Sequence, residues 1–223
     1  MTNQSLPLLY PLLLGIKRKL SKTSTQENVS ARETVASSEK DECAACKTKS
    51  KANTKCGKTE TGAEVSLCPL CLAYTELDQT QITGDLKSSR VGDKSVLARI
   101  PSLSAQDTNH LLRAIGMAMT DPDRKQNAEA VLLHLRERSR DVSGTWETRL
   151  PSDFAAAMKM LSDEEYRWRK DAVSDLRIIF NDAMLVQQGR ASVLENPSLP
   201  VSKWIDKVKN WISVPATSQN ENG

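Results

Sequence analysis

Aromatic side chains are scarce, with Phe, Trp and Tyr making up 4% of the 223 residues. Phe154, Phe180 and all four Trp (Trp146, Trp168, Trp204, Trp211) lie after residue 145. A core of real size is therefore expected in the second half of the chain and not before it. Histidine occurs only at His110 and His134, far apart and both in stretches of helical periodicity, so each reads as a helix-surface position. G-x-S-x-G, a Gly-rich phosphate loop and H-E-x-x-H are all missing, and no catalytic residue is assigned. The acidic run Asp163, Glu164, Glu165 sits where a first helical turn favours carboxylates. A non-enzymatic protein is expected, with no small-molecule substrate indicated.

Strong net charge is also lacking. At +3 overall the chain generates no field that would make nucleic acid the default partner. Residues 1–100 carry 15 Lys and Arg against 11 Asp and Glu, and the remainder 16 against 17, so the small basic excess belongs to the first part.

Long apolar runs are missing too. Leu6 to Ile16 is an apolar stretch of 11 residues, short of the roughly 20 needed to span a bilayer. Lys17, Arg18 and Lys19 follow it, the reverse of the charge order in a secretory signal. The first acidic residue is Glu27, as in a mitochondrial presequence, but Pro7 and Pro11 oppose the continuous helix such a leader forms. Residues 1–20 are read as an apolar and basic leader able to meet a membrane surface or a partner. The compartment is expected to be reducing, cytoplasmic or nuclear rather than mitochondrial.

Residues 21–42 are rich in Ser, Thr and charge and poor in large apolar side chains, so disorder is expected there. Residues 75–102, with TGD, SSR and VGDK turn signals, read as a linker with room for a short strand or turn packed on the cysteine module. Residues 214–223 form a polar tail.

Between 103 and 213 the periodicity predicts an all-α domain of about five helices. Leu111, Leu112, Ile115 and Met119 make the stripe of the first, which ends at Asp121. Asp121 and Pro122 then cap and start a second helix to about Arg140, burying Ala128, Val131, Leu132 and Leu135, with RERSR facing outward and Ser143 and Gly144 ending it. Phe154, Met158 and Leu161 mark a third. Ser162 and Glu165 form an S-x-x-E capping box, after which Trp168, Ala172, Leu176, Ile179, Ala183 and Val186 predict one long helix to about Gln188 that stops at Gly189. Trp204, Ile205, Val208, Trp211 and Ile212 share one face of a last helix, flanked by Lys203, Lys207 and Lys209. Its apolar face is expected to close the core, with contact to a membrane or partner as the alternative.

What is present in quantity is cysteine, and only between 43 and 71. Cys43 and Cys46 form one C-x-x-C pair and Cys68 and Cys71 a second, 21 residues apart, with Cys56 between them. Two such pairs offer four thiolates to a tetrahedral zinc ion. Pro69 stiffens the second pair, and the loop with Gly57, Gly62 and Val65 can supply two short strands and a turn. Disulfides would need an oxidising compartment and leave one cysteine unpaired. A thioredoxin-like motif would need a βαβ core that the EKDE and KTKSK flanks cannot build. Inert cysteines favour apolar surroundings, whereas Lys, Thr and Asp surround these. A structural Zn2+ on Cys43, Cys46, Cys68 and Cys71 is expected, with Cys56 as spare or substitute. A module of residues 43–74 has too few large apolar residues to fold without it.

Lys47, Lys49, Lys51, Lys55 and Lys58 follow the first pair with no acid between them, so phosphate contact is an alternative use of this loop. No Arg or aromatic accompanies them to read or stack on bases. The expectation is a mainly α protein with a small zinc module. It would act as an adaptor or regulator that binds protein partners, with RNA binding and membrane association as alternatives. The layout is similar in architecture to small viral regulatory and accessory proteins, without any shared motif.

Overall fold

The structure is a computed structural model, and it describes residues 12–16, 42–49, 55–58, 64–78 and 90–195, without the side chains of 55–58, 64, 194 and 195. In chain order the elements are β1 (Lys55–Lys58), β2 (Glu64–Leu67), α1 (Pro69–Thr75), β3 (Val96–Arg99), α2 (Ala105–Met119), α3 (Pro122–Glu137), α4 (Ser139–Trp146), α5 (Pro151–Met160), α6 (Asp163–Val173), β4 (Leu176–Ile179) and α7 (Asp182–Glu195). The protein is mostly helical, with its cysteine cluster on the N-terminal side, as the sequence predicts. β1 and β2 pair antiparallel, Lys55 opposite Leu67 and Lys58 opposite Glu64, matching the two strands expected between the cysteine pairs.

Local capping fixes several boundaries. Ser104 opens α2 by accepting from the Asp107 N–H at 3.0 Å. Asp121 accepts from Asp123 N–H at 3.0 Å, with Pro122 as the first residue of α3. The capping box of α6 is complete: Glu165 N–H donates to Ser162 Oγ (3.2 Å) and Ser162 N–H to Glu165 Oε2 (2.8 Å). Two otherwise unsatisfied donors are thereby satisfied, and hydrogen bonding to the Ser162 N–H, then to its side chain, holds the Glu165 carboxyl below its ordinary range.

The single long helix predicted from Ser162 to Gln188 is not formed. α6 ends at Val173, β4 follows, and α7 starts afresh at Asp182. Leu176 to Ile179 are buried on both faces of the strand, Arg177 included, and the step of three from Leu176 to Ile179 fits a helix as well as a strand. Trp168 and Ala172, placed by that spacing on the buried stripe, are exposed, while Tyr166 and Val173 are the buried residues of α6. Ser95 and Asn181 make the restart: Ser95 Oγ accepts from Asn181 N–H (3.0 Å), and Asn181 Oδ1 accepts from Met184 N–H (2.9 Å).

β4 pairs antiparallel with β3, Val96 opposite Ile179 and Arg99 opposite Leu176. β3 lies in the stretch read as linker, and its partner is this strand of the helical body rather than the cysteine segment. On its other edge Leu97 N–H donates to Arg149 O (2.8 Å). The predicted second helix also divides. α3 ends at Glu137, Arg138 turns the chain, and Ser143 and Gly144 lie inside α4 instead of terminating α3. Ala128 and Leu132 are buried as expected, Leu135 is half-buried, and Val131 is exposed. Arg136 does not face outward: its guanidinium donates to Phe180 O (3.0 Å) and pairs with Asp182 Oδ1 (2.7 Å), tying α3 to the start of α7. Helical spacing cannot register this contact, because its partners lie more than 40 residues away in sequence. The helix predicted around Trp204, Val208, Trp211 and Ile212 lies outside the described residues.

Part of the apolar leader is built into the protein. Leu14 and Ile16 are buried, and the main chain of 14–16 is held between α1 and α6. Gly15 N–H donates to Tyr74 O (2.8 Å) and Leu77 N–H to Gly15 O (2.8 Å). Tyr166 Oη accepts from Ile16 N–H (2.9 Å) and also donates to Ile16 O (3.2 Å), while Arg169 Nε donates to Leu14 O (3.0 Å). A Cβ at Gly15 would stand 2.7 Å from Tyr166 Oη. Glycine lets the segment lie this close. Among the described residues no helix is long and apolar enough to cross a membrane.

α2 is the central element, buried around most of its circumference, and it packs most extensively on α7. The two backbones meet where Gly116 faces Gly189. A Cβ on Gly116 would overlap the Leu185 carbonyl, and one on Gly189 would overlap the Gly116 carbonyl. Gly189 is thus a contact inside α7 and not the stop that the sequence suggests. Replacing either by Ala should destabilise the protein by about 1–3 kcal/mol through overpacking. Gly144→Ala, whose Cβ would meet nothing within 4 Å in α4, should be neutral or stabilise by up to about 1 kcal/mol. Chemical denaturation of the three variants checks this, and equal losses at all three would contradict the crossing geometry.

Candidate metal centre

The first cysteine pair is shaped by a tight turn. Glu42 and Lys49 pair as a bridge, Cys43 N–H donates to Thr48 O (3.0 Å), and Lys47 N–H donates to Cys43 O (2.9 Å). Lys47 adopts the left-handed region at φ 57, which costs roughly 1–2 kcal/mol for a residue with a Cβ. The corner brings Cys46 back beside Cys43. Ala44 and Ala45, both buried, are small enough to let the turn lie against β2, where Ala44 N–H donates to Ser66 O (2.8 Å).

The second pair is set by a helix start. Cys68 is the N-cap of α1 and Pro69 its first residue, so Pro69 begins a helix rather than stiffening a free turn. Cys71 follows within the first helical turn and points to the same side. All four side chains are buried, and their sulfurs lie within 4.8 Å of one another. Cys46 Sγ and Cys68 Sγ are 3.6 Å apart, well beyond the roughly 2.05 Å of a disulfide and near the roughly 3.8 Å edge of a tetrahedron with 2.3 Å metal–sulfur bonds. The cluster can hold a metal ion.

Every sulfur in the cluster has a hydrogen-bond donor. Cys43 Sγ accepts from Cys68 N–H (3.3 Å), Cys68 Sγ from the Arg113 guanidinium (3.2 Å), and Cys71 Sγ from the Asn109 amide (3.4 Å). Cys46 Sγ lies 3.1 Å from Thr48 Oγ1. That hydroxyl accepts from Arg113 (2.8 Å), which leaves its own proton for Cys46. Donors arranged in this way suit thiolates, the form in which cysteine binds metal.

The electrostatics follow from crowding four thiols. Hydrogen bonds from Cys43, Cys68 and Cys71 hold Cys46 well below the ordinary thiol range, with the Arg113 charge adding to them. The bond with Cys46 pushes Cys43 up, but those with Cys68 and Cys71 outweigh it and leave Cys43 at about 7. Cys68 and Cys71 are raised, first by Cys43 and then by Cys46. Burial pulls Arg113 down, and the charges of Cys68, Cys46 and Cys71 more than reverse it.

Of the remaining predicted site residues, only Lys47 and Lys49 have described side chains, and neither is among the four clustered residues. Cys56 lies on β1 opposite Ser66, with its side chain outside the described residues. Lys47 pairs with Glu42 Oε1 at 3.3 Å and Lys49 closes the turn. Lys55 and Lys58 are described in backbone only, and Lys51 is outside the described residues. Asn109 and Arg113 were missed from sequence. They stand four apart on α2, hence on one face, and the one available signal was Arg113 set between Leu112 and Ala114 in the apolar second half of the helix.

The chain matches no protein-family model and no curated protein.

The cysteine segment and the helical body share one apolar core. Leu67, Leu70, Tyr74 and Leu77 are buried with Leu97, Leu112 and Ile178. Tyr74 Oη, on α1, accepts from Ile178 N–H of β4 at 3.1 Å, and burial raises the Tyr74 hydroxyl above its ordinary range. Tyr74→Phe should leave a buried strand N–H unpaired and cost about 1–3 kcal/mol. Amide hydrogen exchange should show faster exchange at Ile178. Unchanged stability and protection would mean that the bond contributes nothing.

Proposed function

We propose that Cys43, Cys46, Cys68 and Cys71 hold one structural zinc ion, and that the protein is a non-enzymatic adaptor or regulator whose fold this ion stabilises. The observation that carries the reading is the closed ligand set: four buried sulfurs within 4.8 Å of one another, each provided with a hydrogen-bond donor. Four thiolates fill a tetrahedral zinc site and leave no position for water or substrate, which supports a structural ion over a hydrolytic one. Soft sulfur ligands in this geometry favour zinc among the common divalent ions.

Partner binding is supported by what the helices leave outside. Met160, at the end of α5, is 88% exposed and Trp168, on α6, is 68% exposed. A largely exposed Trp is the residue type most enriched where proteins contact one another. The ion pair of Lys47 with Glu42 draws part of the lysine run into the turn itself, so nucleic acid is not the preferred partner.

The test is native mass spectrometry of the full chain purified under reducing conditions, before and after chelation, with a Cys68→Ser, Cys71→Ser double variant. One zinc per chain, absent from the variant, is the expected result. Because the ligands must lose their protons to bind, occupancy should fall as pH is lowered. A protein with no metal and five titratable thiols would overturn the proposal.

A further inference from the structure

Arg113 is 4% exposed, and among the described residues no carboxylate pairs with it. Its polar contacts are Cys68 Sγ at 3.2 Å and Thr48 Oγ1 at 2.8 Å. A buried guanidinium without a counter-charge costs several kcal/mol, so its compensation must come from the cysteine cluster. The need is mutual. Four thiolates and a divalent ion leave two negative charges in a buried site, and one arginine cancels one of them. Arg113 also spans the two halves of the site, reaching the first turn through Thr48 and the second through Cys68. Asn109, one turn earlier, gives its amide N–H to Cys71 Sγ at 3.4 Å, while its own Oδ1 is buried without a partner among the described residues.

We propose that Arg113 and Asn109 make helix α2 part of the metal site, with Arg113 as the counter-charge of the metal–thiolate centre, so that metal loading governs how firmly the cysteine segment is docked on the helical body. This rests on the zinc reading above and departs from the picture of an autonomous zinc module tethered to a separate helical domain. The two residues are positioning residues: they touch ligand sulfurs and not the ion. Zinc lost from the site removes the ion that holds the two turns together, and the Arg113 contact that joins α2 to both of them weakens. The helical body would thus report on the metal through α2, and α2 is the element on which α7 packs.

The full-length protein is tested with zinc as the probe, as wild type, Arg113→Met and Arg113→Lys. Zinc affinity is measured by competition with a chromophoric chelator, and Tm is measured with zinc and with excess chelator. The sulfur-to-metal charge-transfer band is recorded after cobalt substitution. Arg113→Met should weaken zinc binding by roughly ten- to a hundredfold, lower the zinc-loaded Tm more than the chelated Tm, and shift the cobalt band. Arg113→Lys, which keeps the charge but not the fork, should recover part of each. An Arg113→Met protein that loses the same Tm in both states with zinc affinity within about twofold of wild type, or that is unfolded in both, would show a packing residue only and overturn the inference. Wild type that binds no zinc overturns this inference and the zinc reading together. Wild type that binds zinc with Arg113→Met indifferent overturns this inference alone.

Discussion

The burial of four cysteine sulfurs in one cluster is the constraint to which the rest of the structure answers. Sulfurs this close raise one another's proton affinity or shed protons altogether, and a buried group of that kind must be supplied with donors, positive charge or both. The chain supplies them from three places: a backbone N–H at the start of α1, a threonine in the first turn, and an amide and a guanidinium from α2. A zinc ion, on the reading proposed, supplies the larger share of positive charge. What the protein adds is orientation, since each donor fixes the direction of one sulfur.

That requirement gives α2 an unusual position. A helix that must present Asn109 and Arg113 to the cluster while its apolar residues face α3, α7 and the β3–β4 pair is buried around most of its circumference. Close approach on so many sides leaves little room for side chains, and the Gly116–Gly189 contact is where this becomes absolute. The segment 14–16 performs a similar service for α1 and α6, with Tyr166 Oη as both donor and acceptor and Gly15 close beside it. An apolar segment that would be suited to a membrane surface as a free peptide has Leu14 and Ile16 committed to the interior.

On the reading proposed, a closed four-thiolate site does no chemistry of its own. Its contribution is to make a segment poor in large apolar side chains as firm as the core beside it, and through Tyr74, Asn109 and Arg113 to join the two. Surfaces available for recognition are then carried by a rigid body. An adaptor needs rigidity of this sort, because ordering a flexible surface at the moment of binding would subtract from affinity.

The sequence by itself determined the features that depend on neighbours along the chain. The two cysteine pairs that cluster follow from two C-x-x-C spacings, the α2 stripe from Leu111 to Met119, the start of α3 from Asp121-Pro122, and the start of α6 from Ser162 and Glu165. Each rests on contacts within one or two turns, so local spacing is sufficient. The tertiary structure alone decided what depends on distant partners. Leu176 to Ile179 satisfy a helical spacing as well as a strand, and only Val96 to Arg99 opposite them selects the strand. Gly189 resembles a helix stop until Gly116 is set against it. Asn109 and Arg113 resemble ordinary polar helix residues until the cysteine cluster, roughly 40 residues earlier in the chain, is folded onto their face. A hydrogen bond or a steric gap between elements leaves no periodic trace in either of them, and for that reason the four clustered cysteines were legible and the residues that supply their hydrogen bonds were not.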